Sequence, residues 1–315
     1  MTKTVLVTGG LGYLGGRIAL HLSEQGHDPE FELRLTTRRN SEAVPPWAAG
    51  MEVAGADFAA EKDFSALCLG VDTVVHLAAL NAAQCANDPE LAVRVNVTGT
   101  ENLFDAAARA GVGRFIYVST AHVYGAPLEG VLDENTPPRP AHVYAETHLA
   151  AEDIVLGGNG PMGIVLRLSN AVGVPADKEA DCWLLAANDL CRRAATGNDL
   201  VLRGDGLDVR DFVALKDVCR AIEHFQSLDG DAVADRVFNI GGGSMTILDM
   251  AERIAGRTAA MFGSRPNIRR KEADSGEKAL RLDYRIDRLL GTGFTPGGNL
   301  DDEIDATLKF CRQTF

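Results

Sequence analysis

An apolar run that breaks into glycines, TVLVTGGLGYLGG at residues 4–16, opens the chain and leads directly into the amphipathic pattern GGRIALHLSEQG. Few folds join a buried strand to a helix through so tight a turn. Gly9, Gly12 and Gly15 are spaced as GxxGxxG. That spacing lets the backbone double back, lets an anion come close, and lets the helix lie against the sheet. The first helical N–H groups, which have no partner within the helix, then face the anion. A glycine triplet alone marks an ordinary turn. Between an N-terminal strand and a helix it predicts a dinucleotide diphosphate held by Gly9, Gly12, Tyr13, Leu14 and Gly15.

The rest of the chain repeats this alternation. LRLTT, TVVHLAA, RFIYVST and GIVLRLS are continuous apolar runs, as expected of strands covered on both faces. Helical patterns, NVTGTENLFDAAARAGV and YAETHLAAEDIVLG, lie between them. The pattern predicts an α/β chain with a Rossmann-type doubly wound parallel sheet over residues 1–174. Beyond about residue 175 the rhythm changes, with a long helix around CWLLAANDLCRRAATG and further helices near LKDVCRAIEHFQS and MTILDMAERIAG. Residues 175–315 are therefore expected to form mainly a smaller substrate-binding lobe, with some segments returning to the first domain.

Composition limits what such a fold can meet. Net charge is −13, from 44 acidic and 31 basic residues, which disfavours nucleic acid or an anionic membrane as partner. An anionic ligand must be held by local devices. There is no run of eighteen apolar residues and no basic, then apolar, leader after Met1, so a cytoplasmic setting is expected. The six cysteines are scattered without a CxxC pair, which suits reduced core residues and predicts neither disulfides nor a metal site.

The end of the second strand bears on the choice of dinucleotide. An acid there recognises a ribose 2′-hydroxyl, but this chain has Thr37 followed by Arg38 and Arg39. A guanidinium pairs with a 2′-phosphate, so NADP(H) is favoured over NAD(H). In GADF, Asp57 is a candidate acceptor for the adenine amino group and Phe58 a packing surface.

With these motifs in order, the chain resembles the extended short-chain dehydrogenase/reductase family, the NAD(P)-dependent epimerase/dehydratase group acting mainly on nucleotide sugars. The resemblance covers nearly the whole chain. It rests on TGGxGxxG at Thr8 to Gly15, HLAA at 76–79, NVTGT at 96–100, VSTAHVYG at 118–125 and the tyrosine helix at 144. LRLSNAVG at 166–173, GDGLDVRDFVALKDV at 204–218 and FNIGGG at 238–243 add to it. The resemblance implies that Tyr144 is the general acid/base, that Thr120 hydrogen-bonds the reacting oxygen, and that Ser119 lies beside the nicotinamide. It further implies that Leu77, Ala78 and Ala79 line the cofactor, that Asn96 braces the site, and that Asn170 and Arg210 contact a nucleotide diphosphate. The residue types suit the chemistry, because moving a hydride at a sugar carbon needs a partner for the hydroxyl proton and a fixed hydroxyl on the same oxygen.

One position departs from the family. In HVYAETHLAAE the residue four after Tyr144 is His148, where the family has a lysine that contacts the nicotinamide ribose and acidifies the tyrosine. Tyr144 and His148 share a helix face. Lowering a tyrosine pKa from near 10 to about 7 takes roughly 4 kcal/mol. A positive charge about 5 Å away supplies roughly 3 kcal/mol at an effective dielectric near 20. A histidine of ordinary pKa would carry that charge in about a quarter of molecules at pH 7. The expectation is that His148 keeps the ribose contact with altered pH dependence, the alternative being that redox catalysis is weakened or lost.

The dehydratase branch commonly has an acidic pair where this chain has Ala121 and His122, which argues against a 4,6-dehydratase. His122 is a candidate substrate contact, although a loop histidine is more often solvent-facing, and His142 gets the same reading. The resemblance thus implies a C4 epimerase or ketosugar reductase acting on a nucleotide sugar. The alternatives are a reductase of a small non-nucleotide carbonyl compound and a non-catalytic dinucleotide-binding protein. A homodimer through the alanine-rich helices beginning near Asn96 and Tyr144 is the family expectation.

Overall fold

The computed structural model describes residues 2–24, 30–38, 44–228, 235–272 and 281–315. Among these residues, seven strands form the main sheet: β1 (Lys3–Thr8), β2 (Phe31–Thr37), β3 (Glu52–Gly55), β4 (Thr73–His76), β5 (Arg114–Thr120), β6 (Met162–Leu168) and β7 (Val237–Ile240). All neighbours are parallel, and the order across the sheet is β3-β2-β1-β4-β5-β6-β7. The order reverses between β1 and β4, which opens a crevice at the carboxyl ends of those strands.

Helices cover both faces, which is why the strands read as continuous apolar runs. The longer ones are α1 (Tyr13–Leu22), α2 (Gly99–Arg109), α3 (Val143–Gly157), α4 (Ala186–Ala195), α5 (Leu215–Ser227), α6 (Ile247–Phe262) and α7 (Leu300–Thr314). Val5 and Val7 of β1 face Ile18 of α1 and Val218 and Ile222 of α5, whereas Leu6 faces Leu103 and Phe104 of α2 and Val155 of α3. Each such side chain contributes about 1.5–3 kcal/mol when fully buried.

The second lobe packs α4, α6 and α7 around a small sheet of Asn170–Val172, Val209–Ala214 and Ser244–Thr246. Two helices of the 175–315 span differ in detail. The helix in LKDVCRAIEHFQS, within the span assigned mainly to the second lobe, is α5 and packs against α1, because Val218, Cys219, Ala221, Ile222 and Phe225 form a buried stripe in the main core. The helix expected around CWLLAANDLCRRAATG starts only at Ala186, after a turn in which the Trp183 indole N–H donates to the Lys178 carbonyl. The chain also crosses between lobes more than once. FNIGGG supplies β7 at the edge of the main sheet, while Gly130–Leu132 pairs with Leu282–Tyr284. No helix among the described residues is long and apolar enough to cross a membrane.

Candidate active site

The glycine turn forms one wall of the crevice. Gly9 adopts a left-handed φ of 65°, and Gly12 caps α1 without a side-chain hydrogen bond, leaving the first helical N–H groups for a ligand. A Cβ on Gly15 would lie 2.3 Å from the Gly9 carbonyl oxygen and 2.7 Å from Gly10 Cα, so only glycine lets the turn lie on its helix. A cavity of about 470 Å³ runs from this turn past Thr37, Arg38, Phe58 and Leu77 to Ala79. A second, of about 280 Å³, runs from Gly12, Leu14 and Gly15 to Ser119, Thr120, Tyr144 and His148. Both are lined by Gly9, Gly12, Tyr13, Leu77, Ala79, Asn81 and Asp181, so they are two arms of one cleft. Its two arms and its glycine cradle suit a dinucleotide.

Most residues expected on the cofactor line this cleft, and four need qualification. Tyr13 lines it with its ring, but its hydroxyl donates to the Gly173 carbonyl at 3.0 Å and ties α1 to the chain after β6. Asp57 is exposed and lies off the cleft wall, because its carboxylate accepts the Ala59 N–H at 2.9 Å. Ser119 donates to Glu152 at 2.5 Å, so its proton is committed away from a ligand. Asn96 is buried behind the wall. Its Oδ1 accepts the Leu80 N–H at 2.8 Å, and its Nδ2 donates to Thr147 Oγ1 at 3.0 Å. Thr147 in turn donates to the Tyr144 carbonyl, so Asn96 acts on the site by bracing α3. Arg38 is exposed and lines the larger arm, and Arg39 lies outside the described residues.

At the other arm Tyr144 is half-buried on the first turn of α3. Burial raises its pKa, and a hydrogen bond with the Thr120 hydroxyl offsets part of the rise. Thr120 Oγ1 also accepts the His122 N–H at 3.2 Å, which fixes it at the end of β5. Thr120 and Tyr144 thus line the same arm of the cleft.

His148 differs from its expectation. The residue is 4% exposed, and its ring meets Tyr144 edge-on, with centroids 4.5 Å apart. Nδ1 lies 2.7 Å from the Tyr117 hydroxyl, and Nε2 has no hydrogen-bond partner among the described residues. Burial, with His122 adding to it, pushes the pKa down to about 3. The expected quarter-charge at pH 7 is thus a correction, because desolvation keeps the ring neutral.

The histidines of the loop are not solvent-facing either. His122 is half-buried with Nδ1 unpartnered, and burial, then His142 and Arg210, lower its pKa. His142 caps α3, its Nδ1 accepting the Ala145 N–H at 3.2 Å. Asn170 donates to the Asp211 carbonyl at 2.9 Å, Arg210 is exposed, and neither lines the two arms described.

Three features were not read from sequence. His76 has a fully determined proton order. Thr8 Oγ1 accepts the N–H groups of Leu77 (3.0 Å) and Ala78 (3.1 Å), so its proton goes to His76 Nδ1 at 2.7 Å. Nε2–H then donates to Thr100 Oγ1 at 2.9 Å, and Thr100 donates to the Asn96 carbonyl at 2.7 Å. A second feature is the Glu152–Arg167 ion pair, bridged at 2.6 Å and buried beneath Ser119. The third is Asp181, which accepts from Asn81 Nδ2 at 2.9 Å across the cleft. The HLAA motif hinted at the first; nothing local signalled the other two.

The model of the NAD dependent epimerase/dehydratase family matches residues 5–241. A dTDP-glucose 4,6-dehydratase of Streptomyces griseus is 30% identical over 317 residues, covering 98% of this chain and 94% of that protein. A UDP-glucose 4-epimerase of Corynebacterium glutamicum is 29% identical over 273 residues, 80% of each chain. Among solved structures, MoeE5 in complex with UDP-glucuronic acid and NAD is 26% identical, with a TM-score of 0.79 over 99% of this chain and 100% of that one.

Proposed function

The chain belongs to the NAD dependent epimerase/dehydratase family, and from that premise we propose that it is a nucleotide-sugar C4 epimerase using an NAD(P) cofactor. The observation that carries this reading is the Tyr144–Thr120 pair standing beside the unpartnered Nε2 of His148, in the same cleft as the glycine cradle. The cofactor, when bound, would supply the hydride acceptor and a positively charged ring. Tyr144 takes the proton of the sugar hydroxyl and returns it, and Thr120 holds the same oxygen. The α1 N-terminus holds the diphosphate, the larger arm takes the adenosine and the smaller the nicotinamide, and Arg38 at the adenosine arm favours NADP(H), although MoeE5 is named in complex with NAD. Arg210 and Asn170 are assigned to the diphosphate of the sugar nucleotide.

Epimerisation is preferred to dehydration because Ala121 is 2% exposed in an apolar cluster with Val123 and Leu132, and neither it nor His122 is a carboxylic acid that could protonate a leaving hydroxyl. The test is mass spectrometry of the dinucleotide released on denaturation, followed by assay on UDP- and dTDP-sugars. Near one dinucleotide per chain and interconversion of C4 epimers are expected, with Tyr144→Phe lowering turnover by at least about 10²-fold. Stoichiometric consumption of NADPH would make the protein a reductase instead, and binding without turnover would make it non-catalytic.

A further inference from the structure

We propose that Tyr117 is a positioning residue, whose buried hydroxyl holds His148 as a neutral imidazole with its Nε2–H left to donate to the ribose at the nicotinamide arm. The inference rests on the reading of the cleft as a dinucleotide site. It follows from counting protons. Tyr117 is 2% exposed, and its hydroxyl has one hydrogen-bond partner among the described residues, His148 Nδ1 at 2.7 Å. If Tyr117 donates to Nδ1, the ring proton sits on Nε2, and that N–H is the single unsatisfied group. If Nδ1–H donated instead, both the phenol hydrogen and the Nε2 lone pair would be left buried without partners. The first arrangement is favoured, because each unsatisfied buried polar group costs about 1–3 kcal/mol. The remaining orphan then belongs to a residue that lines the cleft.

Among the described residues, the groups facing the ring leave it no counter-ion. Tyr144 and Glu152 come from its own helix, Tyr117 from β5, His76 from β4, and His122 from the turn after β5. Glu152, the one carboxylate in this set, is taken up by Arg167 and Ser119. With burial pushing its pKa down to about 3, the ring has nothing to hold a second proton. This chain therefore replaces a charge at the ribose with a neutral donor whose direction is set from the sheet.

Long-range proton–nitrogen NMR of the 15N-labelled full chain tests this. The His148 ring is expected to show Nε2 protonated and Nδ1 bare, with no titration between about pH 5 and 8, where a free imidazole would change charge. Titration with NAD+ or NADP+ should move the Nε2 signal. Tyr117→Phe should mix the two tautomers and weaken dinucleotide binding about three- to tenfold, the worth of one neutral hydrogen bond. An Nδ1–H ring in the unaltered protein would overturn the proposal, as would a Tyr117→Phe variant with unchanged tautomer and affinity. Should that variant not fold, the spectrum of the unaltered chain decides alone. A chain that binds neither dinucleotide removes the functional reading and the ribose role together, while the tautomer spectrum still judges Tyr117.

Discussion

His76 lies at the end of β4 and His148 on α3, the residues being 0% and 4% exposed. Desolvation pushes both down to about 3, from an ordinary value near 6.5. In the unfolded chain they take up protons as the pH falls below about 6.5, whereas in the folded chain they do not until about 3. The unfolded state therefore binds more protons inside that window. Stability is full above it and falls through it by up to about 1.4 kcal/mol per pH unit per histidine. Thermal unfolding from pH 7 to 5 should show a falling Tm, with a shallower slope for His76→Gln; equal slopes would show that His76 is not buried neutral. The same neutrality means that His148 supplies Tyr144 with no positive charge. His148→Lys should move the acid limb of the kcat/KM profile down by about two units, the roughly 3 kcal/mol of a charge at about 5 Å. An unmoved limb would mean that the residue-148 charge does not govern Tyr144.

The elements that place these residues are held by close backbone contacts and buried hydrogen bonds. In the glycine turn, a methyl group on Gly15 would meet backbone atoms at 2.3 and 2.7 Å, and backbone cannot rotate aside as a side chain can. Gly15→Ala is expected to open the turn, destabilising the chain by about 1–3 kcal/mol, and to lower dinucleotide affinity more steeply than it lowers Tm. Gly157→Ala at the end of α3, where an added Cβ meets nothing within 4 Å, is the control and should change neither. Equal behaviour of the two variants would contradict the cradle. The helix α3 is held by the His142 cap, by Asn96 through Thr147, by Tyr117 and Ser119 of β5 through His148 and Glu152, and by the Glu152–Arg167 pair reaching β6. Together they set Tyr144 against the end of β5.

For the whole molecule, α2 and α3 carry half-buried small or apolar residues, Ala108 on one and Ala150 and Ile154 on the other, with Ile154 packed against the core. Two copies meeting through these helices would bury them by close approach. Light scattering at micromolar concentration is expected to give twice the chain mass, and a monomer there would remove the pairing. Much of the architecture was legible because it is local. Strand and helix periodicity, the glycine spacing, and the order of motifs ending at Thr120 and Tyr144 are readable from neighbours along the chain. Less legible were β7, a four-residue strand whose place at the sheet edge depends on pairing with β6, and α5, whose apolar stripe does not say which lobe it faces. The sequence by itself determined the doubly wound sheet and pointed to the glycine turn and the tyrosine that line its cleft. The charge of His148 was decided only by tertiary structure, since desolvation and a hydroxyl 31 residues away on another element set its protonation, and neither exists until the chain has packed.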